Sequence, residues 1–132
     1  MPMEDNIFLD AAENGDLETV KKLISESADV DSMDEHDRTA LMKSAKHGHM
    51  DIVKLLLDNG ADVNNRDNRG TTALYWAVAN HHKDITELLI DHEADIHVID
   101  DRGWNIMDHA KSTGDNAIVA LLEKAMAAEK TG

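Results

Sequence analysis

The sequence predicts an all-α fold: a solenoid of stacked helix-turn-helix units with hairpin-like loops projecting between them. Three observations lead there. First, the chain repeats itself at a fixed interval. Laying Asp34 to Arg66 over Asp67 to Ile99, a shift of 33 positions, brings Thr39, Ala40, Leu41, Ile52, Leu55 and Leu56 onto Thr72, Ala73, Leu74, Ile85, Leu88 and Leu89. Second, each copy holds two short apolar stretches at helical spacing, divided by a turn. Third, each copy ends in a polar, turn-rich segment. A period of this length marks units that cannot bury their apolar faces alone and must stack.

The elements follow in order. The first unit, residues 1–33, has Phe8, Ala11, Ala12, Gly15, Val20, Leu23, Ala28, Asp29 and Val30 in register. Asn6 falls in the Thr39 column and is expected to cap the first helix. In the second unit, 34–66, Thr39 caps a helix whose Leu41, Ser44 and Ala45 share a face, and Gly48 ends it. Met50 to Asp58 forms a second helix, with Ile52, Val53, Leu55, Leu56 and Leu57 apolar and Asp51, Lys54 and Asp58 facing water. Asn59-Gly60 stops it, and Ala61 to Gly70 reads as the projecting loop. The third unit, 67–99, repeats this pattern. The fourth, 100–132, is looser, keeping Met107, Ala110, Gly114, Ile118, Val119, Leu121 and Leu122. There Lys111 and Glu123 replace apolar residues, as suits an outer face in water, and Ala125 to Lys130 extends the last helix. One domain across 1–132, without a linker, is the expected organisation.

The run Gly48-His49-Met50-Asp51-Ile52-Val53-Lys54-Leu55-Leu56-Leu57-Asp58-Asn59-Gly60-Ala61-Asp62-Val63-Asn64 resembles the ankyrin repeat almost without a break. Asp67 to Leu74 opens the next unit in the same way. The departures carry information. Ala40, Ala73 and Ile106 stand where the family has proline, and Met42, Tyr75 and Asp108 where it has histidine. Asp37, His81, Ser27 and Glu93 replace glycines of left-handed turns, at about 1 kcal/mol each. With two such replacements, the third unit is expected to be locally weaker than the second.

Composition removes whole classes of function. A formal charge of −14 repels a nucleic-acid backbone and an anionic membrane surface. With no cysteine there is no disulfide, thiolate nucleophile or Cys-bound zinc. No signal peptide is visible at Met1 to Asp5, and no apolar run is long enough to span a membrane, so a cytoplasmic protein is expected. No nucleotide-binding glycine loop, nucleophile elbow or metalloprotease helix occurs, so no catalytic residue or cofactor is assigned. His47, His49, His81 and His82 lie in equivalent turns. The resemblance implies that such histidines bridge neighbouring turns, and that reading is preferred to a metal site.

The resemblance also implies where a partner would dock: the loop tips and the inner face of the first helix of each unit form a concave groove. Those columns hold both tryptophans, Trp76 and Trp104, and all four arginines, Arg38, Arg66, Arg69 and Arg102, together with His36, Lys43 and His109. Trp and Arg are enriched at interface hot spots. Tyr75, beside them, is assigned to packing. The expected function is a non-enzymatic protein-protein interaction module, an adaptor or scaffold, acting as a monomer on a partner with a basic or mixed-charge face. The alternative is an inhibitor or immunity-type protein that blocks a partner enzyme. Trp104→Ala and Arg69→Ala are expected to weaken binding without changing the melt. The resemblance further implies that Asn64, and His97 one unit later, occupy a column that can be hydroxylated.

Overall fold

The computed structural model describes residues 2–131, with side chains for residues 6–130. Among these residues eight helices run in four antiparallel pairs: α1 (Pro2–Asn14) with α2 (Leu17–Ser25), α3 (Ala40–His47) with α4 (Met50–Asp58), α5 (Ala73–Ala79) with α6 (Lys83–Asp91), and α7 (Ile106–Thr113) with α8 (Asn116–Thr131). The first helices stack as α1, α3, α5, α7 and the second as α2, α4, α6, α8. No strand forms among the described residues; the nearest approach is an isolated antiparallel bridge between Met33 and Thr39.

Small residues set the spacing of the first layer. Ala11, Ala12, Ser44, Ala45 and Ala77 are buried where one first helix meets the next. The Ser44 hydroxyl satisfies itself on the Ala40 carbonyl at 2.9 Å, so burying it leaves no orphan donor. Larger side chains fill the space between layers, and Phe8, Leu41, Ile52, Leu56, Leu74, Leu89, Ile118 and Leu122 are all sealed from water. Lys111 and Glu123 are exposed on the outer face of the last pair.

Several helix ends follow local chemistry, while Asn6 and Thr72 depart from the expected caps. Thr39 accepts from the Met42 amide at 3.3 Å, and Gly48 closes α3 in the left-handed region at φ 78°. Asn105 and Asp108 form a reciprocal capping box on α7. Asn6 is no cap: α1 begins at Pro2, a residue compatible with the first helical position, and Asn6 lies exposed inside the helix. Thr72 stands in the capping column, yet its hydroxyl is buried without a partner.

All four non-glycine residues placed in left-handed turns adopt them: Ser27 (φ 73°), Asp37 (63°), His81 (63°) and Glu93 (68°). The His81 turn shows how one departure requires another. Where the turn keeps glycine, a histidine ring from the next unit lies against it. His49 Nε2 bonds the Glu13 carbonyl at 2.9 Å over Gly15, and His82 Nε2 bonds the Lys46 carbonyl at 3.0 Å over Gly48. A Cβ at either glycine would fall within 2.7–2.8 Å of that ring. At His81 the glycine is gone, and the next unit supplies Asp115 instead of histidine. Its carboxylate accepts from His81 Nδ1 at 3.0 Å. That bond and one from the Ile118 amide hold the Asp115 pKa below the usual carboxylate value.

Candidate binding groove

Three loops build the groove, and each is organised by one aspartate. Asp34, Asp67 and Asp100 each turn Oδ1 back onto two amides of their own loop. Asp34 takes His36 and Arg38 at 2.8 and 3.0 Å, Asp67 takes Arg69 and Thr71 at 3.0 and 2.9 Å, and Asp100 takes Arg102 and Trp104 at 2.9 and 3.0 Å. Each loop then closes by two backbone bonds, in the second loop Asp67 N to the Thr71 carbonyl and Gly70 N to the Asp67 carbonyl, both at 2.9 Å. Neighbouring tips are tied as well, Asn68 N to His36 O at 3.0 Å and Asp101 N to Arg69 O at 2.9 Å. The three tips therefore form one continuous edge.

The second oxygen of each aspartate takes a cation or imidazole. Asp34 Oδ2 pairs with Lys43 Nζ at 3.0 Å, and Asp100 Oδ2 with His109 Nε2 at 2.7 Å. Lys43 and His109 occupy the same column of their units. In the unit between them that column holds Trp76, which cannot serve Asp67, so Arg38 reaches across from the preceding loop to Asp67 Oδ2 at 3.4 Å. Its guanidinium then lies 5.2 Å from the Trp76 ring centre. One substitution in the repeat thus redirects an arginine from solvent to an anchoring role. Burial by itself would raise the Asp34 and Asp100 pKa values. Bonds from the Arg38 amide, Lys43 and the His36 amide to Asp34, and from the Trp104 amide, His109 and the Arg102 amide to Asp100, outweigh it, and both carboxyls end below the ordinary range.

The nine residues nominated from the sequence therefore divide. Lys43, Arg38 and His109 hold loops in place. His109 corrects the expectation of an exposed groove residue: it is 7 % exposed, enclosed by Tyr75 and Trp104 with ring centres 4.7 and 5.1 Å away. Arg66 is exposed but directed along the edge, donating to the Gly70 carbonyl at 3.2 Å and to the Ile99 carbonyl. His36 is exposed beside Glu35, 3.7 Å apart. Arg69, Arg102 and Trp104 face outward, and among the described residues neither arginine has a carboxylate partner. Trp104 is 40 % exposed, with Arg102 5.7 Å from its ring centre.

Trp76 is half-buried. Its edge meets Tyr75 at 5.0 Å, Lys46 lies 5.1 Å from its ring centre, and its indole nitrogen is buried without a partner. Trp76, Tyr75, His109 and Trp104 form one chain of ring contacts between adjoining units. Tyr75 is the packing residue expected of it, yet it also lines the hollow beside the tryptophans. That hollow, of about 360 Å³, is bounded by Arg69, Thr71, Tyr75, Trp76, Asp100, Asp101 and Arg102. A second, smaller recess lies on the other side of Trp76, between Glu13, Arg38, Met42, Lys43 and Lys46. Lys46, at the end of α3, falls in the groove columns of the sequence; the anchoring role of the aspartates was missed, although the same residue heads three successive loops.

Other polar positions serve the fold. Asn64 Oδ1 accepts from the Asp95 amide at 2.7 Å, and its Nδ2 donates to the Glu93 carbonyl at 3.3 Å, joining consecutive units. His97 Nε2 lies 2.7 Å from Glu129. Among the described residues no three His, Asp or Glu side chains converge as a metal site, and no helix is long and apolar enough to cross a membrane.

The chain matches the family model described as ankyrin repeats, three copies, over residues 8–100. No curated protein matches it. The matched stretch runs from within α1 through α6, and α7 and α8 continue the same stacking beyond it. Ankyrin repeats mediate protein-protein interaction and are typically non-enzymatic. Repeat period, paired helices, anchored loops and family match all agree: the chain belongs to the ankyrin-repeat family.

Proposed function

We propose that this chain is a non-enzymatic adaptor that docks one protein partner along the groove edge, with Trp104, Trp76, Arg69 and Arg102 as its contact residues. The observation that carries this reading is the coincidence of exposed indole and unpaired guanidinium beside a hollow of about 360 Å³. Aromatic anchors flanked by arginine supply most of the energy at typical hot spots. Arg38, Lys43 and His109 act behind them as positioning residues, and Arg66 and His36 form the rim. The anchored loops present these groups with little left to order on binding, which reduces the entropic cost.

The four helical pairs work as one domain over 1–132, with unit bounds at 33, 66 and 99. The protein is a monomer of the cytoplasm, a compartment that suits a cysteine-free chain. Its partner carries mixed charge, because the −14 balance favours basic groups flanking the contact. An inhibitor that blocks a partner enzyme would use the same surface.

The test is capture from host extract on the immobilised chain, with the Arg69→Ala/Trp104→Phe variant in parallel. A partner held by the parent and lost by the variant supports the reading. A partner held equally by both places the contact on another face. If the captured partner is an enzyme, loss of its activity on mixing separates the inhibitor from the adaptor.

A further inference from the structure

We infer that the segment entering this groove is acidic: an extended stretch of a protein partner whose Asp or Glu carboxylates sit on Arg69 and Arg102, while an adjoining apolar side chain enters the hollow against Tyr75 and Trp76. This rests on the docking reading above and adds the chemistry of the occupant.

Charge distribution carries the argument. All four arginines of a chain with formal charge −14 lie on this one face. The acids at the head of the loops do not cancel them. Asp34, Asp67 and Asp100 have one oxygen on loop amides and the other on Lys43, Arg38 and His109, so their carboxylates point into the scaffold. Asp101 is the one exposed acid bordering the hollow, against two exposed arginines. A guanidinium beside an indole, as Arg102 is beside Trp104 at 5.7 Å, keeps its planar fork available for a bidentate carboxylate. The acidic remainder of the surface repels the same segment, which confines it to this strip. A nucleic-acid strand offers anions and rings too, but its unbroken phosphate chain would also run across the acidic flanks.

The experiment pans short random peptides, displayed on phage, against the full-length chain. The selected peptides are then titrated against the intrinsic emission of Trp76 and Trp104, the only tryptophans present. Selected sequences should pair Asp or Glu with a Leu, Ile, Phe or Trp a few positions away. Their affinity should fall about tenfold or more in the Arg69→Glu/Arg102→Glu variant, fall less in Arg69→Lys/Arg102→Lys, which keeps the charge but loses the planar fork, and weaken as salt rises. Far-UV circular dichroism confirms that both variants remain folded. Selected peptides that are basic or uncharged, yet perturb the tryptophans, overturn the acidic assignment and leave the groove standing. Panning that yields no tryptophan-perturbing peptide overturns both. Saturable binding of an oligothymidylate in the same titration, at the affinity of the best peptide, also overturns the assignment.

Discussion

Lys43, Trp76 and His109 occupy one column of the repeat and do three different things. Lys43 and His109 bind the loop aspartate of their own unit; Trp76 leaves its aspartate to an arginine from the unit before. That difference predicts how single substitutions behave. Arg69 is exposed and unpaired among the described residues, so Arg69→Ala should stay within about 0.5 kcal/mol of the parent in chemical denaturation. Trp104 covers His109, so Trp104→Ala should cost about 1–2 kcal/mol, where the sequence alone suggests a nearly unchanged melt. Equal midpoints for the two variants would show that the indole shields nothing. The aspartates also set a pH limit. Asp34 and Asp100 have folded pKa values below the ordinary carboxylate value, so they bind protons more weakly folded than unfolded. Their contribution is complete above that value and is lost as pH falls through the lower folded values. Acid titration followed by tryptophan emission should show constant stability from these groups down to the ordinary carboxylate range and loss below it. A transition centred near neutral pH would contradict their role.

Among the elements, the third unit carries the most backbone strain. Its turns use His81 at φ 63° and Glu93 at φ 68° where the second unit has Gly48 and Gly60. Glu93 is exposed, and its carbonyl contact with Asn64 does not depend on its side chain. Glu93→Gly should therefore stabilise the protein slightly, by up to about 0.5 kcal/mol, the relief of strain less the added freedom of the unfolded chain. Urea unfolding of the two proteins decides it, and a destabilised variant would mean that the carboxylate matters. His81→Gly is a different case, because it discards the 3.0 Å contact with Asp115. Amide exchange should be faster in α5 and α6 than in α3 and α4, as the sequence leads one to expect.

Across the molecule, stability comes from interfaces between units, since each helical pair is too small to bury its own apolar face. Leu56 is fully buried at such an interface, between α4 and its neighbours. Leu56→Ala should cost about 2–5 kcal/mol, because the stack cannot collapse around the void. Thermal or denaturant unfolding measures it, and a melt like the parent's would displace Leu56 from the core. The same one-dimensional architecture explains the site. Loop tips tied to one another by main-chain bonds present side chains from successive units along one edge, so adjoining units build a surface that none of them has alone.

Period, helix pairing, the identity of the core and even the four strained turns were legible in the sequence, because each depends on residues close together or on a spacing that recurs. Whether a groove residue is free or committed was not legible. Arg38, Arg69 and Arg102 sit in equivalent loops with similar neighbours, yet Arg38 alone is paired, since a tryptophan one unit away leaves Asp67 in need of a cation. His109 is buried because Trp104 and Tyr75, from two different units, close over it. Local sequence specifies what each unit is. Tertiary contacts, some within a unit (Lys43 with Asp34, His109 with Asp100) and one about a repeat length away (Arg38 with Asp67), decide which charges are neutralised and which remain exposed.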